Sequence, residues 1–156
     1  MKVGVVMGST SDWNVVKAAV DTLEQFGVEH ETKVLSAHRT PAELEAWVKS
    51  LRERGFAAVI AAAGGAAHLA GVVAAFTTLP VIGVPVKGAS FEGMDSLLSM
   101  VQMPSGIPVA VVAVNGAKNA ALLSIEIMAV TDKDLEKKMD AFRKEQAAKV
   151  LASKLD

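Results

Sequence analysis

The sequence predicts an α/β fold, a parallel β-sheet covered on both faces by helices. Three observations predict it. Short apolar runs of strand length alternate with helical patterns along the whole chain. The strand runs read as apolar on both faces, as parallel strands buried under crossover helices do. And 156 residues suit one domain with a sizeable core, so the expected unit is a single domain spanning residues 1–156.

The elements follow in order. Lys2–Met7 reads as a first strand: one Lys precedes a short apolar run, and polar residues and an acid follow at once, unlike a signal peptide. Ser11–Phe26 reads as a helix with Val16, Ala19, Val20 and Leu23 on one face. Glu29–Leu35 is a second strand. Pro41–Arg54 is a helix with Leu44, Trp47, Val48 and Leu51 at helical spacing. Its start is marked by Thr40 as cap, Pro41 in the first position and Glu43 as a capping-box acid. Ala57–Ala62 is a third strand, Ala66–Phe76 a helix and Val81–Val84 a fourth strand. Met94–Val101 is a short helix, Val109–Val114 the fifth strand and Ala117–Ala129 a further helix. Lys133–Leu155 closes the chain as a long charged helix that either packs on its own domain or reaches a neighbour.

Composition narrows the classes of function. Hydrophobic residues make up 51% of the chain and its mean hydropathy is +0.36. That is greasy for a soluble chain and points to surface buried between subunits. A net charge of −1 speaks against a nucleic-acid partner, which would need a basic face. Without cysteine there are no disulfides and no thiolate zinc sites, which fits a reducing cytoplasm. Residues Gly55–Val86 contain no Asp, Glu, Lys or Arg. Alanine dominates there, and Gly64, Gly65, Gly71, Pro80 and Pro85 interrupt it, so buried strands and a packed helix are expected rather than a membrane span.

In sheets of this kind ligands bind at the carboxyl ends of the strands. After the first strand, Gly8 permits a sharp turn. Ser9, Ser11 and Asp12 offer hydroxyls and a carboxylate at a helix start, where an anion is favoured. The same residues also serve as plain helix caps. After the second strand, the strong helix start at Thr40 leaves Ser36, Ala37, His38 and Arg39 in the loop. Arg39 suits a bidentate grip on phosphate. Imidazole titrates near neutrality, so His38 suits proton transfer; an isolated loop histidine is otherwise a surface residue. After the third strand, Ala63, Gly64, Gly65 and Ala66 let a ligand lie against the backbone, with His68 in support. The long segment Lys87–Pro108, with Met94, Met100 and Met103, reads as a lid, an interface or core. Lys118 and Asn119 could face the cleft, with exposed surface as the default for Lys118.

With these loops in place, the chain resembles the PurE family of purine biosynthesis. The segments that carry the likeness are VVMGSTSDW, VLSAHRTP, AAAGGAAHLAG, PVIGVPVK, MDSLLSMVQMPSGIPVA and KNAALL, which span most of residues 3 to 130. The resemblance implies a three-layer αβα, flavodoxin-like sheet of order 2-1-3-4-5. It implies a cytoplasmic homo-octamer acting on a small ribonucleotide without metal, cofactor or ATP. Of the two branches, a mutase that moves a carboxylate from the exocyclic nitrogen N5 to C4, and a carboxylase that uses free CO2, SAHRT and GGAAH point to the mutase. By position, the resemblance gives phosphate to Ser9, Ser11 and Arg39, and ribose hydroxyls to Asp12. It gives the imidazole's surroundings to Ser36 and His38, and the reacting carboxylate to the backbone of Ala63–Ala66, supported by His68. Ala62 and Ala70 depart from the Gly and Pro common in the family, beside the expected small-residue pocket.

Three other readings compete. A flavin module would want aromatics, yet Tyr is absent and both Trp fall in helix patterns. A receiver module needs an Asp ending the third strand, where Ala-Gly-Gly stands. A purely structural octamer-former leaves Ser36–Arg39 unexplained.

Overall fold

The computed structural model describes residues 1–154. Five parallel strands, β1 (Lys2–Met7), β2 (Glu29–Val34), β3 (Phe56–Gly64), β4 (Val81–Val86) and β5 (Ala110–Val111), form one sheet of order β2-β1-β3-β4-β5. Six helices alternate with them: α1 (Trp13–Phe26), α2 (Pro41–Ser50), α3 (Leu69–Phe76), α4 (Met94–Val101), α5 (Ala117–Ala129) and α6 (Lys133–Leu151).

Strand periodicity sorts the core into two layers. Val3, Val5, Met7, Ala58, Ile60, Ile82 and Val84 face α1, α5 and α6, where Leu23, Ile125 and Met128 are buried. Val6, Val59, Ala61 and Val81 face α2, α3 and α4, against Leu44, Val48, Val73 and Met100. Each large aliphatic side chain so buried contributes about 1.5–3 kcal/mol. Gly4 in β1 makes room for Trp47, since a Cβ there would sit 3.2 Å from the indole ring.

Several boundaries differ from expectation. The helix expected from Ser11 begins as a 3₁₀ turn at Thr10–Asp12, which becomes α helix only at Trp13. The second strand ends at Val34, and the second helix becomes irregular after Ser50 because the chain tightens toward Gly55 (φ 80°). The third strand runs from Phe56 to Gly64 and the fourth through Pro85 to Val86, both longer than expected. The next helix begins at Leu69 rather than Ala66, because two tight turns precede it (Ala67 N–H to the Gly65 carbonyl, 2.8 Å; His68 N–H to the Ala66 carbonyl, 2.7 Å). Only Ala110 and Val111 of the expected fifth strand pair with β4. Pro85 lacks the N–H that would continue the ladder, while its carbonyl still accepts from Asn115. The last helix ends at Leu151, and Leu155 lies outside the described residues. Nor is β2 apolar on both faces; it is an edge strand, EHETKV, with its residues partly or fully exposed.

Candidate active site

The loops leaving β1, β2, β3 and β4 converge at the carboxyl edge of the sheet and enclose a cleft of about 420 Å³. The candidate residues of the first three loops line it: Ser9, Ser11, Asp12, Ser36, His38, Arg39, Ala63, Gly64, Gly65, Ala66 and His68.

One wall is built by β1 and β2. Ser9 is the cap of the 3₁₀ turn; its Oγ accepts from the Ser11 N–H at 3.3 Å and the Ser11 hydroxyl at 3.0 Å. So the cap and the cluster of hydroxyls are one structure. Asp12 sits beside them, and burial pushes its carboxyl above the ordinary value, against the pull of Ser11, Ser9 and Arg39. Arg39 reaches across from the neighbouring loop: its Nη2 donates to the Gly8 carbonyl at 2.8 Å and its Nε to Ser36 Oγ at 3.3 Å. Ser36 Oγ also accepts the backbone N–H groups of His38 (3.3 Å) and Arg39 (3.2 Å), which ties the loop into a compact turn. Thr40 does not cap α2 with its side chain as expected. Its Oγ1 turns back instead, accepting from the Ser36 N–H at 2.8 Å and donating to the Ser36 carbonyl at 3.2 Å. The hydroxyl is spent on holding the site loop closed.

The opposite wall is the glycine segment. Gly65 adopts φ 63°, a left-handed conformation that disfavours a side chain. A Cβ on Gly64 would meet the Val86 carbonyl at 3.2 Å. His68 lies one residue before α3 and faces His38, with Nε2 of His38 2.8 Å from Nδ1 of His68 and the rings edge-on at 84°. At that distance one ring nitrogen donates to the other, so each imidazole fixes the orientation of its partner.

Sequence reasoning missed Lys87 and Gly88 at the end of β4, which also line the cleft. Their signal was their place directly after a strand. Lys118 does not face the cleft; its ammonium lies 5.5 Å from the centre of the Phe142 ring. The methionines divide: Met100 is fully buried core, Met103 packs over Gly71, and Met94 is exposed. Ala62 and Ala70 are wholly buried behind the cleft and do not line it. Among the described residues no group of three His, Asp or Glu is placed to hold a metal ion.

The sequence pattern of the AIR carboxylase family matches residues 2–149. The chain belongs to the AIR carboxylase family. It is 55% identical over 155 residues to the N5-carboxyaminoimidazole ribonucleotide mutase of Vibrio parahaemolyticus, covering 98% of this chain and 96% of that protein. It is 50% identical to the protein of the same name in Saccharolobus solfataricus, over 99% and 98% of the two chains. Among solved structures, Treponema denticola PurE superposes with a TM-score of 0.85 at 30% identity, over 96% of this chain and 93% of that one.

Proposed function

We propose that this protein is an N5-carboxyaminoimidazole ribonucleotide mutase, moving a carboxylate from N5 to C4 of an aminoimidazole ribonucleotide. The observation that carries this reading is the meeting of a hydroxyl–guanidinium grip, a histidine pair and a glycine wall in one cleft. The relatives at 50–55% identity that bear this activity's name support it.

The roles follow from the chemistry of each group. Ser9, Ser11 and Arg39 take the phosphate, and the desolvated Asp12 accepts hydrogen bonds from the ribose hydroxyls. The base lies between Ser36 and His38, with its carboxylate against the backbone of Ala63, Gly64, Gly65 and Ala66. The carbamate C–N bond breaks, releasing CO2 and leaving the electron pair on N5, which gains a proton. C4, an enamine-type carbon, attacks the retained CO2 and then loses its proton. His38 gives the first proton and takes the second, and His68 holds its ring through the 2.8 Å contact. Retaining CO2 makes the second step nearly unimolecular, which is worth several kcal/mol.

The reaction so drawn uses no metal, cofactor or ATP, and residues 1–156 form its one catalytic domain. The setting we assign is a cytoplasmic homo-octamer with neither nucleic acid nor membrane as partner. Supporting it are the exposed apolar side chains Met94, Leu98 and Val101 along α4 and the exposed outer half of α6. Among the described residues no helix is long and apolar enough to cross a membrane.

Incubation with each ribonucleotide, with and without bicarbonate, tests the reading. The N5-carboxylated nucleotide should yield the C4-carboxylated isomer without added bicarbonate. Turnover of the unmodified nucleotide alone, dependent on bicarbonate, would instead favour the carboxylase reading that the family's description keeps open.

A further inference from the structure

Lys87 stands at the end of the cleft opposite the phosphate grip. It follows β4 directly, and its ammonium pairs with Glu92, both side chains being at least half exposed (50% and 74%). Glu92 sits within three consecutive left-handed residues, Phe91 (φ 45°), Glu92 (φ 54°) and Gly93 (φ 92°). The backbone of Lys87 is held far more firmly than its side chain. The peptide group joining Val86 to Lys87 is gripped on both sides: its N–H donates to Asn115 Oδ1 at 2.9 Å, and its carbonyl accepts from the fully buried Ser96 hydroxyl at 3.0 Å. This is the carbonyl that a Cβ on Gly64 would strike, so the clamped peptide backs directly onto the glycine wall. An exposed ion pair, by contrast, is worth little and is readily exchanged for another anion.

Strand order separates Lys87 from Arg39. The loops carrying them leave β4 and β2, three strand spacings apart in the order β2-β1-β3-β4, or roughly 14 Å at about 4.8 Å each. Arg39 reaches back over β1 to Gly8, so the Ser9–Ser11–Arg39 grip lies at the β1–β2 end of the cleft and Lys87 at its β4 end. The substrate has one other anionic group, the carboxylate. We infer that Lys87 is a positioning residue for the substrate carboxylate, its ammonium leaving Glu92 for that group when the nucleotide binds. This rests on the mutase reading given above. CO2 carries no charge, so the contact is made with the carboxylated nucleotides and lost at the released gas. It therefore supports binding, not the chemical step.

The test is the ratio of two dissociation constants, for the nucleotide with C4 carboxylate and for the same nucleotide without it. A ratio cancels general damage to the site. Lys87→Met should cut the preference for the carboxylated form about tenfold without lowering kcat, Lys87→Arg should keep it, and Glu92→Gln should strengthen it. An unchanged ratio in Lys87→Met, equal weakening of both ligands, or a tenfold fall in kcat overturns the inference alone. If the unaltered protein binds neither nucleotide, the mutase reading fails and the inference with it.

Discussion

Arg39→Ala separates grip from chemistry. The guanidinium spans two loops, with Nη2 on the Gly8 carbonyl and Nε on Ser36 Oγ, and among the described residues Nη1 has no partner. Under the proposed roles this donor, in the same cleft as the Ser9 and Ser11 hydroxyls, is the one that takes a phosphate oxygen. Removing it costs a charge-assisted contact worth about 1.5–3 kcal/mol, or roughly 10- to 150-fold in affinity. The lost protein contacts are exposed, so the fold should lose no more than about 1 kcal/mol. Titration calorimetry with the nucleotide and with the matching nucleoside isolates the phosphate contribution. The nucleotide should weaken by the stated factor, the nucleoside should bind wild type and variant equally, and kcat at saturation should stay within a few-fold. An unchanged nucleotide affinity, or equal weakening of both ligands, would refute the assignment.

Three further outcomes are expected. Burial raises the Asp12 carboxyl above its ordinary 3.8, so its ionisation costs the fold stability, lost as pH rises from 3.8 through the raised value. Asp12→Asn should thus be at least as stable at pH 7 in urea unfolding, with a flatter pH profile, yet bind the nucleotide more weakly; a clear loss of stability at pH 7 contradicts this. Gly83→Val should destabilise by about 1–3 kcal/mol in thermal or urea unfolding. Even the first added carbon meets Met100 Sδ at 3.0 Å and Val109 Cγ1 at 3.2 Å, and an unchanged midpoint would mean the layer has slack. His68→Phe removes the partner of His38 and should lower kcat at least tenfold while KM stays within about threefold, so a pure KM effect would place His68 in binding instead.

Much of this was legible because strand exits and helix starts leave strong local signals. Thr40-Pro41 marked where the second helix begins, and so left Ser36–Arg39 in the loop that lines the cleft. What the letters hid was tertiary. Nothing local says that the Thr40 hydroxyl turns back to Ser36, or that the ring of His38 meets that of His68, thirty positions on. The alternation of strands and helices was clear, but the shortness of β5 depends on a missing N–H in a different strand, at Pro85. Lys87 read as the start of a long loop because its role depends on what β3 and α4 bring beside it.

The central claim is that one imidazole, that of His38, carries the proton between N5 and C4. The measurement that tests it most directly is single-turnover conversion of the N5-carboxylated nucleotide by His38→Asn, alongside the variant's dissociation constant for the same nucleotide. The account predicts affinity within a few-fold of wild type and conversion slowed by about 10²–10⁴-fold. Near-normal conversion by a variant that binds normally would contradict it.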